Sequence, residues 1–153
     1  MGWVNNKYTK HFILCWLEQY ANFEGRARRE EYWMFMLVWI SVSWLLYYIA
    51  DAGADLELNV LSTIVKGLWW IFVLMTLCPY CAVGVRRLHD IGMSGLWVLI
   101  PFVPHAGFAF FHFPWLHSLA KVADLFIYIL CVQDSQPGTN KWGPNPKIEF
   151  TLP

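Results

Sequence analysis

A chain of 153 residues suits one domain, but 58% apolar residues, 14% charged residues and a mean hydropathy of +0.40 exclude an ordinary water-soluble one, since soluble domains carry roughly 25% charged residues. Aromatic residues reach 18%, with ten tryptophans, a usage suited to membrane interfaces, where an apolar ring sits in lipid and its N–H or O–H reaches water. The formal net charge of zero singles out neither an acidic nor a basic partner, and no basic stripe interleaved with aromatics marks a nucleic-acid face.

In chain order, the first feature is amphipathic. Tyr8, Phe12, Trp16 and Tyr20 recur every fourth residue, flanked by Ile13 and Leu17, with Lys7, His11 and Glu18 opposite. This pattern predicts a helix over 5–22, lying in the membrane interface or against the protein's own cytoplasmic face. The segment lacks the uninterrupted apolar core and small-residue cleavage site of a secretory signal.

Four windows near the roughly 20 residues that cross a bilayer follow: 32–50, 67–85, 95–113 and 115–133. The first two contain no charge and no polar stripe, so they read as spans rather than soluble core helices. Pro101 and Pro104 interrupt the third, and each removes a helical hydrogen bond. Residues 95–133 therefore fit two crossings, the first kinked, or a re-entrant segment followed by one crossing. The fourth window holds Lys121 and Asp124, three apart on one helical turn, as a candidate intramembrane polar pair. Residues 134–153 read as a tail rich in proline and glycine, in which Asn140, Gly143 and Pro144 set turns.

Apart from Lys121 and Lys66, the latter in a loop with Asp51, Asp55 and Glu57, lysine and arginine fall in three groups: Lys7, Lys10, Arg26, Arg28 and Arg29 before the first span, Arg86 and Arg87 after the second, Lys141 and Lys147 after the fourth. Four spans put all three groups on one side, which the positive-inside rule makes cytoplasmic, with both termini there. The expected fold is an all-α membrane protein of about four transmembrane helices behind an amphipathic helix. Residues 1–146 form a single membrane domain.

Three polar motifs border the spans: residues 25–33 (GRARREEYW), 86–97 (RRLHDIGMSGLW) and 137–146 (PGTNKWGPNP). In this order they resemble the bacterial inner-membrane family known as domain of unknown function 805, over nearly the whole chain from Trp3 to Pro146. The resemblance implies an inner-membrane location and a helical topology, and no established reaction. About 40 residues separate Gly95 from Pro137, a longer stretch than the resemblance leads one to expect and enough for two crossings.

If the first two spans pair antiparallel, Arg26, Arg28 and Arg29 share a face with Arg86, Arg87, His89 and Asp90. The guanidinium fork suits phosphate or carboxylate, so these seven residues are the candidate site for an anionic lipid head group or phosphate. The competing reading is a topology signal with a salt-bridged loop network, in which Glu30, Glu31 and Asp90 pair the arginines. Ser94 is placed to cap the third span.

Other signals carry less. Cys78-Pro79-Tyr80-Cys81 matches a dithiol motif but sits in an apolar window without a βαβ pattern. His105, His112 and His117 have spacings that suit no zinc site. No metal, cofactor or catalytic residue is expected, and no P-loop, dinucleotide or hydrolase motif is present. The function expected is that of a structural or regulatory inner-membrane protein with membrane lipids, and another membrane protein or a second copy, as partners; an enzyme acting on lipid head groups would need a reactive partner beside His89 and Asp90, and the sequence offers no obvious nucleophile there. The alternative is a small transporter or channel subunit acting as a homo-oligomer, with Lys121, Asp124 and His105 lining a shared cavity.

Overall fold

The structure, a computed structural model, describes residues 18–149. It is helical: α1 Arg29–Asp55, α2 Asn59–Asp90, a 3-10 segment Gly95–Leu99, α3 Phe102–Phe111, α4 Pro114–Val132 and α5 Pro146–Glu149. Three of these helices, α1, α2 and α4, are long and apolar enough to cross a membrane, and Gly95–Phe111 is a shorter apolar stretch. The protein is an all-α membrane protein. Residues 1–17, which hold most of the expected interfacial helix, lie outside the described residues; of its remainder, residues 19–21 form a bend and turn.

The chain divides into two compact units. One comprises residues 18–21 and 33–80 of those described. Its body is a helical hairpin, the bulk of α1 against the first part of α2. At the turn, Leu58 N–H bonds to Gly53 O at 2.8 Å and Glu57 N–H to Ala54 O at 3.1 Å, the paired bonds of a Schellman motif. Glu57 occupies the left-handed position at φ 58° that glycine usually fills. Further along, Trp39 Nε1 donates to Thr76 Oγ1 at 2.8 Å, and Thr76 Oγ1 donates to Phe72 O at 2.8 Å. Such bonds hold helices together where lipid supplies no hydrophobic driving force between them. Leu37, Leu45, Trp70 and Leu74 point outward, each more than half exposed, which in a bilayer is contact with acyl chains.

The second unit contains residues 22–32 and 81–149 of those described. Its α2 segment ends in another Schellman motif, with Met93 N–H on Leu88 O at 2.9 Å and Gly92 N–H on His89 O at 3.1 Å. Here the left-handed residue is Gly92, φ 84°. The chain then turns back so closely that a Cβ on Gly95 would lie 2.5 Å from Val85 Cγ1. Ser94 caps as expected, accepting from Leu96 N–H at 3.4 Å; what it caps is a 3-10 segment.

The two prolines divide the third apolar window rather than bend one helix. Pro101 falls between the 3-10 segment and α3, and Pro104 sits in the first turn of α3, where a missing N–H costs no intrahelical bond. At ten residues, α3 is about 15 Å long, half the roughly 30 Å hydrocarbon core. It reverses through His112, φ 56°, and Pro114 starts α4. Gly107 lets α3 lie against Leu116 of α4.

Candidate functional site

The three polar motifs meet in the second unit, on the end of α2. Arg87 and Asp90 belong to its last turn and Arg86 immediately precedes it, and all three are buried. Asp90 is the centre. Its Oδ1 accepts from Arg26 Nε at 2.9 Å, and its Oδ2 accepts from Arg87 Nη1 and from Ser135 Oγ, the latter at 2.6 Å. A carboxylate removed from water in this way is stable only because each oxygen is paired.

Arg26 uses all five of its N–H donors. Besides Asp90 Oδ1, Nη1 donates to Gly138 O at 2.8 Å and to Gly143 O at 3.4 Å. Nη2 donates to Gln136 O at 2.6 Å and to Asp90 O at 3.2 Å. The acceptors are carbonyls of the third motif and of the loop before it, so one side chain from the first motif holds the tail onto the second. Its side chain is 1% exposed.

Arg87 serves a different end. Its Nε donates to Cys131 O at 3.0 Å, Nη2 donates to Gln133 O, and Nη1 donates to Ala27 O at 3.2 Å as well as to Asp90. Cys131 and Gln133 lie at the C-terminus of α4, where the last carbonyls of a helix lack intrahelical partners and its dipole is negative. A buried cation from α2 therefore caps α4. Arg86 pairs with Glu31, also buried.

The ring of His89 is committed too. Nδ1 lies 3.2 Å from Gly25 O, which requires a proton on Nδ1. Trp142 stacks on the ring at 4.4 Å and 13°, and Lys141 Nζ lies 4.1 Å over the Trp142 ring. Asn140 Nδ2 donates to His89 O at 2.9 Å, while Asn140 and Gly143 exchange backbone bonds at 3.1 Å each. The expected turn at Asn140 and Gly143 is thus present, and it is what docks the tail.

The remaining arginines lie at the edge. Arg28 donates to Pro146 O from Nε at 2.8 Å and from Nη2. Arg29 Nη2 is 3.6 Å from Asp134 Oδ1, and Lys147 Nζ donates to the same oxygen. These three side chains are 44%, 60% and 46% exposed for Arg29, Asp134 and Lys147. Lys147 holds the Asp134 carboxyl below the usual carboxylate range, with the Ser135 N–H and Arg29 adding to the effect.

All seven residues singled out from the sequence fall in this one cluster, with Arg26, Arg86, Arg87, His89 and Asp90 turned inward. Sequence reasoning missed Ser135, Gln136 and Trp142; the signal available was the density of Asn, Gly and Pro in the third motif. Lys121 and Asp124 are not paired with each other. Asp124 Oδ2 instead lies 3.0 Å from His105 Nε2 of α3. Among the described residues no group of His, Cys, Asp and Glu is arranged to hold a metal ion, and Cys78, Cys81 and Cys131 form no disulfide with one another.

The family described as protein of unknown function (DUF805) matches residues 20–144, which include the whole of this cluster up to Pro144. The inner membrane protein YhaH of Escherichia coli K12 is 33% identical over 139 residues, 87% of this chain and 93% of that protein. The inner membrane protein YhaI of the same organism is 35% identical over 137 residues, 90% of this chain and 96% of its own length. YiiR, also from that strain, is 24% identical over 131 residues, 80% and 84% of the two chains. No solved structure matches. The chain belongs to the DUF805 family.

Proposed function

We propose that this is a structural or regulatory protein of the bacterial inner membrane, whose three motifs close a clasp on the cytoplasmic side and offer an exposed cationic rim to anionic lipid head groups. The orientation rests on the positive-inside rule, since the three lysine and arginine groups then lie in the cytoplasm, against Lys66 alone beside the acidic loop between the first two spans. It also rests on the bond between Asp90, at the end of α2, and Ser135, just past α4. Because α4 has the length of a span and ends beside the end of α2, residues 91–113 carry the chain to the far side, and four crossings result.

The observation that carries the lipid reading is the division of labour among the arginines. Arg26 and Arg87 have their donors taken by carbonyls and Asp90, whereas Arg29 and Lys147 stay close to half exposed. Juxtamembrane cations gain roughly 1 kcal/mol each beside an anionic surface. Arg29→Gln combined with Lys147→Gln is expected to reduce phosphatidylglycerol and cardiolipin retained on purification in mild detergent, with the fold intact. Unchanged anionic lipid in a folded double variant would overturn the lipid contact and leave a purely structural clasp.

A further inference from the structure

The polar side chains of α4 form a stripe. His117, Lys121, Asp124 and Tyr128 are spaced 4, 3 and 4 residues apart, which at about 100° per residue keeps them within roughly 60° of arc. The stripe is a boundary. On one side of it lie Ala120, Ala123, Ile127 and Leu130, all buried, and on the other Val122, Leu125, Phe126 and Ile129, all exposed. His105 reaches the stripe from α3, with Nε2 3.0 Å from Asp124 Oδ2.

The two ends of the stripe differ. His117 and Lys121, the fourth and eighth residues of α4, are exposed and lead from its start down to Asp124, the eleventh. Beyond Tyr128 the same edge carries Cys131, fully buried, and apolar Val132, and Arg87 holds the carbonyls of Cys131 and Gln133 there. The stripe is therefore polar toward the side opposite the clasp and closed toward the clasp.

Depth makes the pair unusual. The helix α4 is apolar enough to cross a bilayer, and Asp124 lies roughly 15 Å from its start, near the middle of the hydrocarbon core. An ionisable group at that depth faces protein or a water-filled cavity. The side chains of His105 and Asp124 are 48% and 27% exposed, so the described residues do not enclose them. Lys121, whose long stem carries its ammonium toward the interface, and His117 above it supply the polar lining that water needs to reach the pair.

We propose that His105 and Asp124 form a proton-exchange site within the membrane, open to water on the side opposite the clasp and closed on the clasp side. A carboxylate oxygen accepts, so His105 Nε2 carries the proton shared with Asp124. Nδ1 makes no hydrogen bond among the described residues and keeps its lone pair. An incoming proton forms an N–H bond at Nδ1, turns the ring into imidazolium, and leaves the bond to Asp124 unbroken. The pair passes from one negative charge to none.

Few other charges face it. Lys121 is the nearest cation, one turn before Asp124. The rings of His117 and His112 lie 5.1 Å and 6.1 Å from that of Phe108, and the 3-10 segment and α3 hold no ionisable group besides His105. At the other end Arg86, Arg87, His89 and Asp90 belong to the clasp; Arg87 meets α4 at Cys131, about 10 Å beyond Asp124. Buried cations there repel a proton in transit, so the site loads and unloads from one side instead of conducting. This goes beyond the cytoplasmic rim: it uses the orientation proposed for the clasp but not the lipid contact.

Access and proton uptake are tested separately. For access, Lys121→Cys, Asp124→Cys, Val122→Cys and Thr139→Cys are each placed in a full chain whose native cysteines are alanine, and treated with a membrane-impermeant thiosulfonate in spheroplasts and in inverted vesicles. Thr139→Cys reports the side of the tail. Lys121→Cys and Asp124→Cys are expected to react from the opposite side alone, roughly tenfold faster than lipid-facing Val122→Cys, because only a wet thiol ionises and attacks. A tail that labels from outside would reverse the orientation of the clasp, yet the site stands as long as the stripe labels from the face opposite the tail. For uptake, the chain with its native cysteines and nitrogen-labelled histidine is studied by solid-state NMR in vesicles of phosphatidylethanolamine and phosphatidylglycerol. The His105 signal, identified by its loss in His105→Gln, is expected to pass from one protonated ring nitrogen to two between about pH 8 and 5. Asp124→Asn is expected to lower the doubly protonated fraction at about pH 6 by roughly tenfold at unchanged helicity. Stripe positions that react no faster than Val122→Cys, or that react from the tail side, overturn the proposal. So does a His105 whose proton count stays constant over that range.

Discussion

The hydroxyl of Tyr20 donates to the carbonyl of Met75, four residues before Pro79 in α2. In an uninterrupted helix that carbonyl would accept from the N–H of residue 79, and proline has none. Tyr20 therefore fills the vacancy that Pro79 creates, in a segment where lipid cannot. An unsatisfied carbonyl costs about 1–3 kcal/mol, more where water is absent. Tyr20→Phe is expected to lower stability by roughly that amount, measured as thermal unfolding in detergent. Pro79→Ala restores the backbone donor, so in that background Tyr20→Phe is expected to cost far less. Equal losses in both backgrounds would show that the hydroxyl has another role.

The clasp makes a sharper demand. Removing one member of a buried ion pair costs about 3–5 kcal/mol, because the other is left charged and unpaired. Arg26→Ala strips Asp90 of a partner and frees the carbonyls of Gln136, Gly138 and Gly143 together. The expected outcome is a large loss of stability with early release of the tail, seen as protease cleavage between residues 134 and 149 before the spans unfold. Arg26→Lys, with three donors on a point charge instead of five in a fork, is expected to rescue only a minor part. A tail that remains protected in Arg26→Ala would remove the clasp as the explanation of these contacts.

Much of this was legible in the sequence, for a physical reason. Charge-free windows of span length predict α1 and α2, since a helix without a polar face has nowhere to lie but lipid. The arginine motifs announced themselves by position, and Glu31 was foreseen as a partner for an arginine. What was not legible is the direction in which each guanidinium points. Arg26 and Arg29 are three apart, yet Arg26 is buried in carbonyls while Arg29 meets only Asp134 at the surface. Apart from Asp90, the acceptors that decide this come from residues 134–143, more than a hundred positions away, and composition carries no trace of such pairing. Pro101 and Pro104 misled in a milder way: proline marks a break but does not say whether the helix bends or restarts.

The exposed rim has a predictable response to pH. Because Asp134 is held below its ordinary range by Lys147, its link to the tail is complete above the unfolded carboxylate value near 3.9. The link is lost as pH falls through the lower folded value. Between pH 5 and 8 the rim is therefore expected to be unchanged. Asp134→Asn removes the carboxylate at every pH and leaves Arg29 and Lys147 without it, so this variant should retain more phosphatidylglycerol than wild type at pH 7. The effect on stability is expected to be slight, since the group is fully exposed and surface pairs contribute little.

The turn between α1 and α2 offers a gain in stability rather than a loss. Glu57 holds a left-handed conformation, φ 58°, that costs an L-residue roughly 1–2 kcal/mol and glycine nothing sterically. Glu57→Gly is expected to raise the stability of the hairpin by up to about 1 kcal/mol, the difference being reduced by the greater freedom of glycine in the unfolded chain. An unchanged or lower melting temperature would mean that the Glu57 side chain contributes more than its backbone costs.

Two glycines of nearly equal standing in the sequence are expected to behave in opposite ways. Gly67 lies inside α2 with nothing within 4 Å of the position a Cβ would take. Gly67→Ala should thus be neutral or stabilising by up to about 1 kcal/mol, the difference in helix propensity. Gly95 is the closest approach of the returning chain to α2, where a Cβ would meet Val85 Cγ1 at 2.5 Å and His89 Nε2 at 3.1 Å. Neither neighbour can withdraw freely, because Val85 is built into the helix and His89 is held between Gly25 O and Trp142. Overpacking of this kind costs about 1–3 kcal/mol. It would also displace the His89 ring on which Trp142 stacks, so Gly95→Ala should change tryptophan fluorescence and loosen the tail as well as lower the melting temperature. If Gly95→Ala melts with the wild type and the tail stays protected, the return of the chain onto α2 is not the tight contact on which the docking of the third motif depends.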